Sequence, residues 1–291
     1  MNSYLMITFA AVLLAVNFAF TNVYQQKKGT SPKAGLAFNA LNGLFTLVVF
    51  FIICDFKLAF TPYSIFMSTL MSVFAMIYTF IGFHILKKGS MAIFTLFLMS
   101  GGMLIPYVYG LLFLDEEFLW LRAVGIVVIL AGVVLSNFSS KQIDRNQILM
   151  CIAVFILNGC VSVVSKMHQI ETGFATVSSE QFVALTGIEK FLLAGIVYFF
   201  VKKDADTSVS DKKSNLFILF IIILSAIVSG VSYLLQLIGA QNIDASLLYP
   251  FITGGSVVFS TITGVIFFKD KLSLKLVLSV ALCFAGTLLF L

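Results

Sequence analysis

The residues able to do chemistry in this chain are few and stand in apolar surroundings. Glu189 and Lys190 fall near the middle of a run, 176–201, whose only other charge is Glu180. If the run crosses a bilayer, each charge at that depth costs roughly 2.5–3.5 kcal/mol on insertion scales and persists where it meets a partner or a wet cavity. Glu189 is therefore the candidate proton carrier, or counter-charge for a cationic group. The structural alternative is a pair that bridges helices, each residue to a different neighbour, since adjacent helical residues point about 100° apart. Glu180, nearer the end of the run, reads as interfacial.

A second set is uncharged. Asn17, Asn42, Tyr78, Asn158, Tyr233 and Gln236 take middle or near-middle places in apolar runs. Their amides and phenols can hydrogen-bond a zwitterion or a sugar without a permanent charge. Otherwise they tie helices together, at about 0.6 kcal/mol per contact. Tyr107, Tyr109 and Tyr249 stand beside Pro106 and Pro250, where a loosened hydrogen-bond ladder could expose carbonyls to a cavity that aromatic rings line; the alternative, favoured where Phe and Tyr are this common, is lipid-facing packing. His84 and His168, near run ends, read as interfacial. Asn137-Phe-Ser139 matches a glycosylation acceptor only formally. No HExxH, GxSxG or pair of membrane aspartates occurs, and two histidines far apart offer no zinc site. Cys54, Cys151, Cys160 and Cys283 have neither metal nor CxxC spacing and read as small packing residues. No filter motif or ring of charge marks a channel. The expectation is no catalysis, no metal and no cofactor.

The elements that must hold these residues follow from composition. Of 291 residues, 60% are hydrophobic and 11% charged, against roughly 25% charged in soluble proteins. With 32 Phe and a mean hydropathy of +1.08, there is too little polar surface to coat a globule. A soluble domain, a disordered chain, a disulfide scaffold and a nucleic-acid binder are all excluded. The lipid bilayer is the solvent. Only helices or closed barrels cross it with their backbones satisfied. Residues 1–26, 34–54, 58–86, 89–114, 123–140, 146–165, 214–243, 245–268 and 276–291 carry no Asp, Glu, Lys or Arg. Nearly all reach the roughly 17–25 residues of a spanning helix, well beyond the strand of a barrel. With 176–201 they predict an all-α integral membrane protein of ten transmembrane helices. The first reads as a span and not a signal peptide, because nothing basic precedes it.

The ten divide into two copies of a five-helix unit, 1–140 and 146–291. A shift of 154 positions lays Gly102, Pro106 and Gly110 on Ser256, Ser260 and Gly264, Glu116 on Asp270, and Ala131-Gly132 on Ala285-Gly286. With other offsets Tyr78 meets Tyr233, Asn17 meets Asn158, and Ala40-Leu41-Asn42-Gly43 meets Ala184-Leu185-Thr186-Gly187. Small residues every fourth position let helices approach closely in lipid. An odd helix number inverts the second copy, and the charge agrees. Basic residues favour loops one and three in the first copy, and the equivalents of loops two and four in the second. Inverted repeats around a midplane cavity are a plan of secondary transporters.

The chain resembles the drug/metabolite transporter superfamily, specifically its EamA-like ten-helix members. The resemblance rests on Pro106-Tyr-Val-Tyr-Gly110 through Leu114-Asp-Glu-Glu117, Gly125 and Ala131-Gly132-Val-Val-Leu135. It rests equally on Tyr249-Pro250 through Gly264, Lys269-Asp270-Lys-Leu272 and Ala285-Gly286-Thr-Leu-Leu289. It covers the whole chain and specifies architecture better than substrate. It implies export or exchange of small organic solutes (amino acids, other metabolites or drugs) across the cell membrane, by a monomer or homodimer. The fifth helix also looks like the last helix of the small multidrug resistance family, but that family's first-helix glutamate has no counterpart, since no Asp or Glu precedes Asp55. A channel or a non-transporting scaffold is the alternative. On orientation, charge and resemblance part. The family keeps both termini in the cytoplasm, yet the loops opposite the termini hold 14 of the 18 basic residues, which predicts both termini outside.

Overall fold

The computed structural model describes residues 3–88, 91–137, 145–201, 212–268 and 273–290, with side chains over the same ranges except at 83–84, 86–88, 91–93, 136–137, 212–214 and 268. Asp270 and its turn, Lys202 and Lys203, Ser139 and the His84 side chain lie outside that description. Among the described residues there are ten helices and no strand: α1 (Ser3–Lys28), α2 (Pro32–Ile53), α3 (Pro62–Lys88), α4 (Met91–Phe113), α5 (Trp120–Asn137), α6 (Arg145–Ile170), α7 (Ser179–Phe200), α8 (Lys212–Asn242), α9 (Ala245–Phe268) and α10 (Leu274–Leu288). Eight are long and apolar enough to cross a membrane. α5 and α10 are apolar but shorter; the 15 residues of α10 rise roughly 22 Å against about 30 Å of hydrocarbon.

Local chemistry sets the helix starts. Ser31 caps α2, its hydroxyl accepting from Ala34 N, with Pro32 in the first turn, where a missing N–H costs nothing. Ser178 and Gln181 form a reciprocal capping box at α7, and Ser273 caps α10 through Leu276 N. The chain runs up and down. On one face, here the upper, the start of α1 and the end of α10 lie with the α8–α9 connection, where Lys166 of α6 reaches the last turn of α8. On the lower face Lys28, ending α1, donates to Asn215 at the start of α8, and Lys33 of α2 donates to Val201 O after α7.

Two antiparallel pairs, α2 with α7 and α5 with α10, hold the assembly, and both close on glycine. A Cβ on Gly43 would stand 2.7 Å from Phe191 N and 2.8 Å from Gly187 O, while one on Gly187 would stand 2.9 Å from Leu47 N and 3.0 Å from Gly43 O. The relation is mutual. In the second pair a Cβ on Gly132 would lie 2.8 Å from Ser279 O, and one on Gly286 would lie 2.8 Å from Gly125 O; Ser279 Oγ donates to Gly132 O at 2.7 Å. Elsewhere α4 packs on α6 as α1 packs on α9, and α3 on α6 as α1 on α8. One set of partners is unequal. α8 packs against α6 and α7, whereas α3 has only marginal contact with α1 and α2 among the described residues.

Candidate functional site

A cavity of about 400 Å³ opens between α1, α2, α3, α6, α7 and α8 at the middle of the molecule. The α2–α7 contact builds its charged wall. Because Gly43 has no side chain, the Lys190 Cβ can sit within 3.1 Å of the space a Cβ there would fill. The ammonium therefore lies across from the neighbouring Asn42, and Nζ donates to Asn42 Oδ1 at 2.7 Å. From there the donors run in one direction: Asn42 Nδ2 to Ser225 Oγ at 3.2 Å, and Ser225 Oγ to Asn17 Oδ1 at 2.7 Å. Four residues on α7, α2, α8 and α1 thus form one chain whose only charge faces the cavity. Asn42 is buried and Lys190 half-buried.

The opposite walls are neutral. Tyr78, Thr79, Ser72 and Met71 come from α3, and Ser229, Ser232, Tyr233 and Gln236 from α8, with Leu14, Val161 and Leu193 supplying apolar surface. Tyr233 Oη meets Ser165 Oγ at 3.0 Å and Met71 Sδ at 3.2 Å, and Gln236 Nε2 donates to Ser232 Oγ at 3.3 Å. Such a space, mostly apolar with a few convergent polar groups and one cation, is built to hold a small organic molecule.

The sequence model of the EamA-like transporter family matches residues 146–291, the stretch from the start of α6 to the end of the chain. The chain belongs to the EamA-like transporter family. It is a multi-pass membrane protein of a family whose members are transporters, not enzymes. A solved structure titled only "Crystal structure of protein" is similar at a TM-score of 0.76 with 18% identity, over 97% of this chain and 96% of that one; at that identity it speaks for the fold alone. No curated protein matches.

In this EamA-like chain the expected polar residues part into two groups. Asn42, Tyr78, Tyr233 and Gln236 line the cavity, and Asn17 stands one hydrogen bond behind its wall. The rest face other helices. Glu189 turns to α3, where Oε1 accepts from Thr69 Oγ1 at 2.9 Å. Asn158 donates to Leu98 O of α4 at 2.7 Å, and Tyr249 to Ser162 O of α6 at 2.7 Å. Tyr107 is buried, with a hydroxyl that finds no partner among the described residues. The physical reason is rotation. Glu189 and Lys190 are about 100° apart around α7, so only one of them can face the cavity, and it is Lys190. His168 is likewise not interfacial: it is 1% exposed, its Nε2 is 2.8 Å from Ser64 Oγ, and its ring stacks on Phe182 at 3.7 Å. The start of α3 and the end of the α6–α7 connection cover it, through Ser64 and Val177 N.

Above the cavity the upper face is tied shut. Lys166 Nζ donates to Ala240 O at 2.7 Å and Ile243 O at 2.8 Å, satisfying carbonyls that the end of α8 leaves open. Gln241 Nε2 donates to Gln169 Oε1 and Ser179 Oγ. Glu116 accepts from Ala245 N and Ser246 N, a carboxylate on the start of α9. Arg122 pairs with Asp244 at 2.8 Å. Sequence reasoning passed over Thr186 of the cavity lining and Ser225 of the network behind it, as well as Lys166. For Lys166 a signal was present, as the lone basic residue on its side of the second copy.

Proposed function

We propose that this chain is a secondary transporter carrying small organic solutes across the cell membrane by alternating access, with the six-helix cavity as its binding site. The observation that carries the reading is a mostly apolar cavity with a few convergent polar groups, bonded shut above through α6, α7 and α8, whose counterpart closure by α3 against α1 and α2 is marginal among the described residues. Two five-helix copies, 1–140 and 146–291, inverted with respect to one another, would exchange these arrangements. The mutual antiparallel contacts of Gly43 with Gly187 and of Gly125 with Gly286 support that inversion. Substrate contact belongs to Asn42, Tyr78, Tyr233 and Gln236, with Asn17 holding the network. Asn158, Tyr107 and Tyr249 set helix spacing.

Flux of a labelled solute in proteoliposomes tests this. A carrier gives saturable uptake with counterflow, a channel gives unsaturable flux, and a scaffold gives none. Glu189 is the candidate for proton coupling, being the carboxylate at mid-helix on α7 with a hydroxyl donor from α3. Glu189→Gln should abolish dependence of uptake on a pH gradient while counterflow persists. Undiminished gradient dependence in that variant would send coupling elsewhere.

A further inference from the structure

We infer that the solute is a small organic anion whose charged head sits on Lys190 Nζ. The inference rests on the cavity being the transport site and adds the sign of the cargo. Among the lining residues Lys190 is the one charged group, and no Asp or Glu stands with it. The ion pair found among the described residues, Arg122–Asp244, is on the upper face, and the adjacent Glu189 is turned to Thr69. An ammonium has three donors; Asn42 takes one and returns only a neutral dipole.

Asn42 cannot reverse to offer more. Its amide nitrogen donates to Ser225 Oγ, whose own proton goes to Asn17 Oδ1. The network therefore aims and holds the ammonium without neutralising it. A half-buried cation lacking a counter-charge is costly, and a bound carboxylate or sulfonate would supply the missing charge with hydrogen bonds to the free donors. A cationic solute would meet Lys190 with no carboxylate in the lining to offset it. Facing the head, Tyr78, Tyr233 and Gln236 suit one or two neutral polar groups on a largely apolar body, of a size for the small end of ligand pockets.

The test uses the purified full chain in an uncharged detergent at fixed salt, with thermal unfolding as the readout. The probes are benzoate, benzamide and benzylammonium, and hexanoate, hexanamide and hexylammonium. In at least one set the anion should raise the midpoint more than its neutral and cationic partners. Lys190→Arg should keep that preference. Lys190→Gln, which can still donate to Asn42, should lose roughly ten- to a hundredfold in anion affinity, the loss of a charge-assisted hydrogen bond. Equal shifts within both sets, a preference for the cations, or full anion affinity in Lys190→Gln would overturn the inference. Should Lys190→Gln fail to fold, the head-group comparison in the unaltered protein decides alone. Flux separates the two readings. Anion binding without flux of labelled benzenesulfonate, which stays charged and does not leak, leaves the inference and removes the carrier. Saturable flux of benzylammonium, unaffected at Lys190→Gln, leaves the carrier and removes the inference.

Discussion

At the scale of the residue, the chain separates polar groups that do work from those that only need satisfying. Lys190 is aimed by a one-way relay that ends at Asn17 Oδ1. Placing a carboxylate inside that relay would supply the counter-charge permanently. Asn42→Asp should therefore give a protein at least as heat-stable as the original but unable to bind benzoate or hexanoate, checked by the same unfolding shifts. Anion binding retained in Asn42→Asp would show that the ammonium is not the docking point. Tyr107 is the contrasting case, with a buried hydroxyl that finds no partner among the described residues. An unmade hydrogen bond costs about 1–3 kcal/mol, which removal of the oxygen returns. Tyr107→Phe should leave the unfolding midpoint equal or higher and uptake unchanged. The part of this that sequence could not give is which of two adjacent charges faces inward. Depth in an apolar run marks Glu189 and Lys190 alike. α7 is apolar nearly all round, so no polar stripe fixes its rotation; contact with α2 does.

At the scale of the element, the glycines decide the approach of α2 to α7, and with it whether Asn42 and Lys190 meet. A methyl at Gly43 would collide with backbone atoms of Phe191 and Gly187. Gly43→Ala should cost about 1–3 kcal/mol by overpacking and weaken anion binding as Lys190 is displaced. Gly195, on α7, has nothing within 4 Å of its missing Cβ. Gly195→Ala should be neutral or slightly stabilising, since Ala is the better helix former. Thermal unfolding of the two variants side by side checks the pair; equal losses would deny the close approach its role. The helices themselves were legible, because uncharged runs of 20 or more residues leave lipid-spanning helices as the only outcome. Their pairing was legible only where matched motifs, such as Asn42-Gly43 with Thr186-Gly187, fell on the facing helices. The lengths of α5 and α10 were less so: 123–140 and 276–291 are uncharged throughout, while among the described residues these two apolar helices are shorter than the other eight.

At the scale of the whole molecule, charge gives the orientation its test. Counted along the sequence, loops one, three, five, seven and nine hold 14 of 18 basic residues, and basic residues in short loops stay in the cytoplasm. Both ends of the chain should then lie outside. Single cysteines at Thr172 and Ser208 check this in intact cells. Thr172→Cys should react with an impermeant reagent and Ser208→Cys should not; the reverse would place the ends in the cytoplasm. Finally, the ties from α6 and α7 to the end of α8, through Lys166 and Gln241, have a kinetic meaning. On the proposed cycle they must part on every turn, so they set how fast the upper face opens and how long the cargo waits behind it. A passive latch changes how fast the cycle turns but leaves the final ratio across the membrane untouched. Accumulation against a gradient must come from a second ion or solute whose binding differs between the two states. Strengthening or weakening the latch alone changes only the time taken to reach the same endpoint.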